Sequence, residues 1–169
     1  MSKVLVVYAT KTGCTREVAE RIGAALAAVA QSVDVMAAEA KPDPAAYDAV
    51  VVGSGVRAGQ WHAAARDWVV GNGETLAARR TALFTVCMTV AAQPEKLDEV
   101  RAYTDPVLRQ SGVKPLAMGL FAGFFLPERF GLVERTILKA MKTPQGDFRD
   151  WHAIDQWAAD VGPLLCPAS

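Results

Sequence analysis

Residues 10–15 read Thr-Lys-Thr-Gly-Cys-Thr, and they lie between the apolar run Val4 to Tyr8 and a stretch with helical spacing that begins near Arg16. An apolar run, a short hydroxyl-rich turn and a new helix together predict a strand-turn-helix unit. Three hydroxyls, one conformationally free glycine and the N–H groups of the new helix would all converge on one anion. The stretch therefore predicts a phosphate-binding loop made of Thr10, Lys11, Thr12, Gly13, Cys14 and Thr15.

Two widespread phosphate motifs do not match this loop. A Walker loop ends in Gly-Lys followed by Ser or Thr, and a dinucleotide fingerprint has three spaced glycines where this loop has one. A hydroxyl-rich loop without an obligatory cation suits a monophosphate such as that of FMN, because backbone dipoles and neutral donors can hold a dianion. The alternative is an ordinary helix cap by Thr12 or Thr15. The position of the loop directly after the first strand favours phosphate binding.

Four further apolar runs alternate with helical patterns. The predicted strands after the first are Val33 to Met36, Tyr47 to Val52, Thr81 to Met88 and Val113 to Ala122. The predicted helices are Glu17 to Ala30, His62 to Val70, Pro94 to Gln110 and Asp150 to Leu165. Alternating strands and helices form a parallel sheet with right-handed crossovers. We therefore predict one α/β domain over residues 1–169, with a doubly wound five-stranded parallel sheet in the order 2-1-3-4-5 and three α/β/α layers.

An extra segment, residues 123–149, exceeds what a five-stranded fold needs. Its apolar residues recur at intervals of three and four, which predicts an amphipathic helix carrying Phe130, Val133, Ile137 and Met141. Such a helix could pack on the core of the domain. Alternatively, the segment could contact a lipid-soluble partner or a membrane surface through an apolar lip of Phe124, Phe125, Leu126 and Phe130.

Composition excludes several classes of function. The 18 basic and 18 acidic residues cancel, so no overall field attracts nucleic acid. The chain has neither a signal segment nor an apolar run near the roughly 20 residues that cross a bilayer. We therefore expect a cytoplasmic protein, at most peripheral on the inner face of the membrane. The spacing of its three cysteines indicates reduced thiols. The sequence shows no cluster of metal-ligating residues, and it does not indicate an oligomeric state.

Two later loops should reach the same sheet edge as the phosphate loop. The loop after the third strand supplies the candidate residues Ser54, Gly55, Val56, Arg57, Gly59 and Trp61, and the loop after the fourth strand supplies Val86, Cys87, Met88 and Thr89. Trp61 could stack on a flavin ring, and Arg57 could place positive charge near a reduced flavin or a substrate carboxylate. We therefore predict Arg57 and Trp61 as catalytic residues.

With these motifs the chain resembles the flavodoxin family over nearly its whole length. Thr10-x-Thr-Gly-x-Thr15 after a first strand is similar to the FMN phosphate motif of that family. Within the family the chain is most similar to the menaquinone-dependent protoporphyrinogen IX dehydrogenases. The similar stretches are Tyr47-Asp-x-Val-Val-Val-Gly53, Val56-Arg57-x-Gly59-x-x-His62, Pro94-Glu-Lys96 and the segment after the fifth strand. The stretch Phe124 to Lys142 departs from those enzymes in being less basic and poorer in Tyr and Arg.

The resemblance implies a fold, a cofactor and a reaction. It implies an FMN-dependent oxidoreductase that passes electrons from a reduced substrate, a porphyrinogen, to a quinone, with Arg57 and Arg129 as candidate carboxylate contacts. A flavodoxin-type carrier that shuttles electrons between redox-protein partners is the alternative, and a quinone reductase fed by NAD(P)H is a third class. Carriers of this family are typically acidic and enclose the ring with two aromatics, whereas this chain has zero net charge and only Trp61 in its predicted loops.

Overall fold

The computed structural model describes residues 1–168. Its strands are β1 (Lys3–Ala9), β2 (Ser32–Ala37), β3 (Ala49–Arg57), β4 (Gln60–Trp61), β5 (Arg80–Val86), β6 (Met118–Phe121), β7 (Phe124–Phe125) and β8 (Gly146–Asp147). Its α-helices are α1 (Cys14–Leu26), α2 (Ala63–Gly71), α3 (Gly73–Ala77), α4 (Thr89–Ala92), α5 (Leu97–Ala102), α6 (Asp105–Ser111), α7 (Leu132–Ala140) and α8 (Trp151–Leu165).

The central sheet is parallel and has the order β2-β1-β3-β5-β6. This confirms the predicted order, since β5 and β6 are the fourth and fifth predicted strands and β4 is a short strand that pairs antiparallel to the end of β3. Residues 4–7 of β1 and 49–52 of β3 are fully buried. Their near-continuous valine and leucine content suits strands that are covered by helices on both faces.

Two apolar clusters form the layers on either side of the sheet. The first joins α1 and α8 through residues that include Ile22, Leu26, Ile154 and Leu165. The second joins α2, α3 and α6 through residues that include Trp68, Leu76 and Val107. The confirmed architecture is therefore α/β with three layers, and the carboxyl ends of β1, β3, β5 and β6 meet at one edge of the sheet.

Some element bounds differ from the prediction. The third strand continues to Arg57, five residues beyond its predicted end, and the fifth is limited to residues 118–121. The predicted helix over residues 94–110 is divided into α5 and α6. Pro106 explains this break, because proline has no N–H to donate to the carbonyl of Ala102, where α5 ends.

The extra segment leaves the sheet after β6 and returns before α8. Its ends pair as a separate antiparallel ribbon in which Phe124 faces Asp147 and Phe125 faces Gly146. Helix α7 lies between these ends, and none of its residues is buried. The alternative in which this helix packs on the core is therefore wrong.

The predicted apolar lip is also wrong. Phe124 and Phe125 are buried, and Leu126 and Phe130 are half-buried. The exposed apolar residues of the segment come later in the chain and are 53–76% exposed: Leu132, Val133, Ile137 and Met141. Among residues 1–168, no helix combines the length and hydrophobicity of a bilayer-spanning segment.

Candidate functional site

The predicted phosphate loop is an open turn between β1 and α1. Gly13 is the N-cap residue of α1 and has a φ of +89°, a conformation that favours glycine. Its N–H donates to the Thr10 hydroxyl oxygen at 3.0 Å, which leaves the Thr10 O–H proton available for an acceptor. Because Gly13 has no side chain that could cap the helix, the first amides of α1 are left to bind an anion.

Neighbouring loops pack closely against this turn through two glycines. A Cβ on Gly55 would lie 3.3 Å from the Thr15 hydroxyl oxygen, and a Cβ on Gly123 would lie 3.4 Å from the Cys14 sulfur. The structure therefore brings the end of β3 and the segment after β6 against the phosphate loop, as the parallel sheet requires. Thr12 is half-buried beside them, and Lys11 is exposed.

Cys14 is buried in this turn, and burial disfavours its thiolate. Burial raises the pKa of Cys14 to about 11, although a backbone hydrogen bond involving Phe124 acts in the opposite direction. The thiol is therefore neutral at physiological pH. Its contribution to an anion site is the backbone N–H at the start of α1.

The loop after β3 is a tight hairpin. Ala58 and Gly59 have φ angles of +49° and +71°, as a two-residue type I′ turn requires, and Arg57 pairs with Gln60 across it. At the base of the hairpin, the Ser54 hydroxyl donates to Gly55 O at 2.8 Å and accepts from the His62 N–H at 2.9 Å. The Ser54 side chain, predicted to bind cofactor, is therefore committed to holding the hairpin.

Trp61 lies on the second strand of this hairpin and points into the core. It is 3% exposed, and its indole N–H donates to the Thr85 hydroxyl at 3.0 Å. In this conformation the ring has no open face, so the predicted stacking on a flavin does not fit. Stacking would require the side chain to leave the core and break its bond to Thr85.

Tyr103 is an aromatic residue near the hairpin that the sequence did not point to. It lies between α5 and α6, and its ring carbon Cε1 is 3.4 Å from the Cβ position of Gly59. Its hydroxyl donates to Glu99 at 3.0 Å, and burial raises its pKa. The sequence pattern places Tyr103 within one predicted helix over residues 94–110, whereas in the structure it lies at the break between α5 and α6.

The loop after β5 supplies a mainly apolar wall. Val86 and Cys87 are buried, Met88 and Thr89 are half-buried, and α4 begins at Thr89. The Met88 sulfur lies 4.0 Å from the Cβ position of Gly123. Val86 is in register with Gly55 on the neighbouring strand, so this loop and the hairpin leave the sheet side by side.

Val56, also predicted as a ligand, is half-buried and pairs with Trp61.

One carboxylate of the extra segment joins the two basic residues of the site. Glu134 on α7 accepts through the same oxygen from Lys11 of the phosphate loop and from Arg57 of the hairpin. Its second oxygen accepts from the Gly131 N–H at 3.3 Å. The hydrogen bonds from Lys11 and Arg57 lower the pKa of Glu134 to about 2. Helix α7 is therefore tied to both loops, and the predicted catalytic Arg57 is paired within the protein.

A second charged cluster lies beside the phosphate loop. Arg149 donates to both oxygens of Asp147, at 2.9 and 2.6 Å, and to Glu17 at 2.6 Å. Its guanidinium stacks on the rings of Phe124 and Trp151, 4.8 and 4.7 Å from their centroids. The cluster fixes the ribbon formed by β7 and β8 to helix α1. It also explains why Phe124 is buried rather than exposed.

The donors of the phosphate loop fit a phosphate monoester such as that of FMN. The Thr10 hydroxyl and the first amides of α1 are neutral donors, and Gly13 keeps its backbone free of a side chain. The hairpin and the loop after β5 flank this position. The three loops predicted from the sequence are therefore brought together, although the side chains of Ser54 and Trp61 face inward.

Comparison with known proteins agrees with this geometry. The sequence profile of the flavodoxin domain family matches residues 5–151. The chain is 26% identical over 174 residues to protoporphyrinogen IX dehydrogenase (quinone) of Escherichia coli (strain K12), with 96% of each chain covered. It is 27% identical over 180 residues to the protein of the same name from Leishmania major, with 98% of this chain and 78% of that relative covered.

Solved structures show the same fold. Oxidised flavodoxin 1 from Bacillus cereus superposes with a TM-score of 0.64 at 16% identity, covering 99% of this chain and 100% of that one. Oxidised flavodoxin 2 from the same organism gives a TM-score of 0.59 at 21% identity, covering 93% and 95%. The chain therefore belongs to the flavodoxin domain family, and this membership implies that its cofactor is FMN.

Proposed function

We propose that this protein is an FMN-dependent oxidoreductase that oxidises a porphyrinogen and reduces a quinone. The observation that carries the proposal is the pairing of Lys11 and Arg57 with one carboxylate beside the predicted phosphate loop. Two cations that share a carboxylate form a site that suits the carboxylates of a porphyrinogen. The names of the Escherichia coli and Leishmania major relatives support the same reaction, and the alignments with them span nearly all of this chain.

The residues of this chain would bind and orient the reactants. When bound, FMN supplies the reversible uptake of an electron pair. Pairs of electrons and their protons leave the porphyrinogen, and each quinone takes up one pair with its protons to become a quinol. The phosphate loop would hold the cofactor. A substrate carboxylate would displace Glu134 and be positioned by Lys11 and Arg57. The exposed apolar residues of α7 offer the lipid-soluble quinone a path to the site.

The proposal is tested by anaerobic turnover of the FMN-loaded protein with protoporphyrinogen IX and a menaquinone analogue. We expect porphyrin fluorescence to appear together with quinol in a fixed ratio. The variant Arg57→Gln should raise the KM for the porphyrinogen about tenfold or more, because a charge-assisted hydrogen bond is lost. Arg66→Gln is the matched control, since Arg66 lies on α2 and pairs with the adjacent Asp67.

Two outcomes would contradict the proposal. One is the absence of porphyrin formation by a protein that, once reduced, passes electrons rapidly to a redox-protein acceptor. That result would favour the carrier function. The other is an unchanged KM for Arg57→Gln, which would remove Arg57 from substrate binding.

A further inference from the structure

We propose that Arg129 binds the phosphate of FMN, so that the extra segment completes the phosphate site. The inference rests on FMN as the cofactor and not on the substrate proposed above. Arg129 follows β7 in a short helical turn over residues 127–129. Its Nη1 atom lies 3.7 Å from the position that a Cβ would take on Gly13. The guanidinium therefore lies beside the loop at its glycine, where no side chain separates it from the backbone.

The charges around Arg129 leave its donors available. Glu17 Oε2 lies 3.7 Å from Arg129 Nη1, which is longer than a hydrogen bond, and that same oxygen accepts from Arg149 at 2.6 Å. Arg149 also donates hydrogen bonds to both carboxylate oxygens of Asp147. Within residues 1–168, the Arg129 guanidinium therefore has no hydrogen-bond acceptor, and its side chain is 42% exposed.

An aromatic ring holds the guanidinium in place. Arg129 Cζ lies 4.9 Å from the centroid of Phe124, a buried ring that Arg149 also contacts. Stacking on an aromatic face leaves the N–H groups of arginine free at the edges of its plane. A donor that is held in position before binding loses less conformational entropy when the ligand arrives.

Lys11, the cation within the loop itself, is already engaged. Lys11 pairs with Glu134, and the remaining donors of the loop are neutral hydroxyls and amides. Because the charge of Lys11 is paired with Glu134, Arg129 would supply the positive charge that faces the phosphate. This differs from the carboxylate contact that the sequence suggested for Arg129, because the side chain lies at the phosphate loop and not at the hairpin with Arg57.

The test compares FMN with riboflavin, which lacks the phosphate, as ligands of the apo protein. Dissociation constants are measured by quenching of flavin fluorescence for the wild type, Arg129→Gln and Arg129→Lys. We expect Arg129→Gln to weaken FMN binding about tenfold or more and to leave riboflavin binding within about twofold. Arg129→Lys should keep part of the FMN preference, because it retains the charge without the fork of donors.

Matched controls make the result specific. Arg21→Gln removes a guanidinium farther along α1 that donates to Asp155 at 2.7 Å, and it should change neither constant. In the wild type the ratio of the two constants should also shrink as salt is added, since a charged contact is screened. The proposal is overturned if Arg129→Gln weakens both flavins equally or neither. Because binding is measured without turnover, that failure would leave the proposed porphyrinogen reaction untouched.

Discussion

Glu134 on α7 forms an ion pair with Arg57 at the end of β3, 77 residues earlier in the chain. The same carboxylate oxygen accepts from Lys11, so one side chain joins α7 to the phosphate loop and to the hairpin. None of the residues of α7 is buried, and polar contacts must therefore hold this helix in place.

The variant Glu134→Gln should release α7. The amide keeps the shape of the side chain but loses the charge that pairs with Lys11 and Arg57. We expect faster amide hydrogen exchange over residues 127–147, with the central sheet unchanged. Glu20→Gln is the control, because it removes an exposed pair with Arg16 within α1. Equal exchange in the wild type and Glu134→Gln would show that the pair does not hold the helix.

The same connection should weaken in acid. The pKa of Glu134 is lowered from an ordinary value of 4.5 to about 2 in the folded protein. The stabilisation that its ion pairs provide is therefore complete when the pH is above the pKa of the unfolded state. It is lost as the pH falls from about 4.5 through about 2. We expect exchange over residues 127–147 to accelerate across that window in the wild type. In Glu134→Gln the acceleration, corrected for the intrinsic pH dependence of exchange, should be smaller, because only the ion pairs of Arg149 with Asp147 and Glu17 remain to be lost. An equal rise in both proteins would contradict the assignment.

Removing the hydroxyl of Thr15 tests the phosphate loop. Thr15→Val keeps the branched shape beside Gly55 and removes the donor. FMN binding should weaken by about 1–3 kcal/mol, as expected for a lost hydrogen bond to a charged group. Riboflavin binding should not change. Thr136→Val is the control, since the Thr136 hydroxyl bonds to Leu132 O on α7. An unchanged FMN affinity would locate the phosphate elsewhere.

The backbone of Gly13 gives a prediction about folding stability. An L residue at its φ of +89° is strained by about 1–2 kcal/mol, so Gly13→Ala should lower the free energy of unfolding by that order. The new Cβ would meet Arg129 at an ordinary contact distance, so the cost is conformational and not steric. Gly71→Ala should be neutral or slightly stabilising, because Gly71 ends α2 and open space surrounds its Cβ position. Urea denaturation of both variants measures the difference.

Trp61 can be tested as a core residue. Trp61→Phe keeps an aromatic ring in the core and removes the hydrogen bond to Thr85, which leaves a buried hydroxyl without its donor. We expect the free energy of unfolding to fall by about 1–3 kcal/mol, with FMN affinity changed less than threefold or so. If FMN binding falls sharply while stability is unchanged, the ring stacks on the flavin as the sequence first suggested.

The sheet and the turn between β1 and α1 were predictable because their signals are local. Continuous apolar runs identify strands that are covered on both faces, and a hydroxyl-rich turn before a helical pattern marks the end of the first of them. The order of the strands follows from right-handed crossovers between neighbours. Each of these inferences needs only a short window of sequence.

The remaining features depend on contacts between distant residues. Glu134 meets a residue 123 positions away, and no periodicity reports such a pair. Whether the Trp61 side chain faces the core depends on the two-residue turn at Ala58 and Gly59, because this turn fixes the face of the hairpin on which Trp61 lies. The sequence pattern predicts that Phe124 is exposed, whereas in the structure the guanidinium groups of Arg149 and Arg129 cover its ring.

The ribbon formed by β7 and β8 has a consequence for how this protein can evolve. Phe125 pairs with Gly146, so everything between them departs from and returns to a single point on the molecule. Doubling the length of such an excursion costs only about 0.6 kcal/mol in closure entropy. Insertions and deletions there can alter which molecules reach this edge of the sheet, while the sheet itself keeps its geometry.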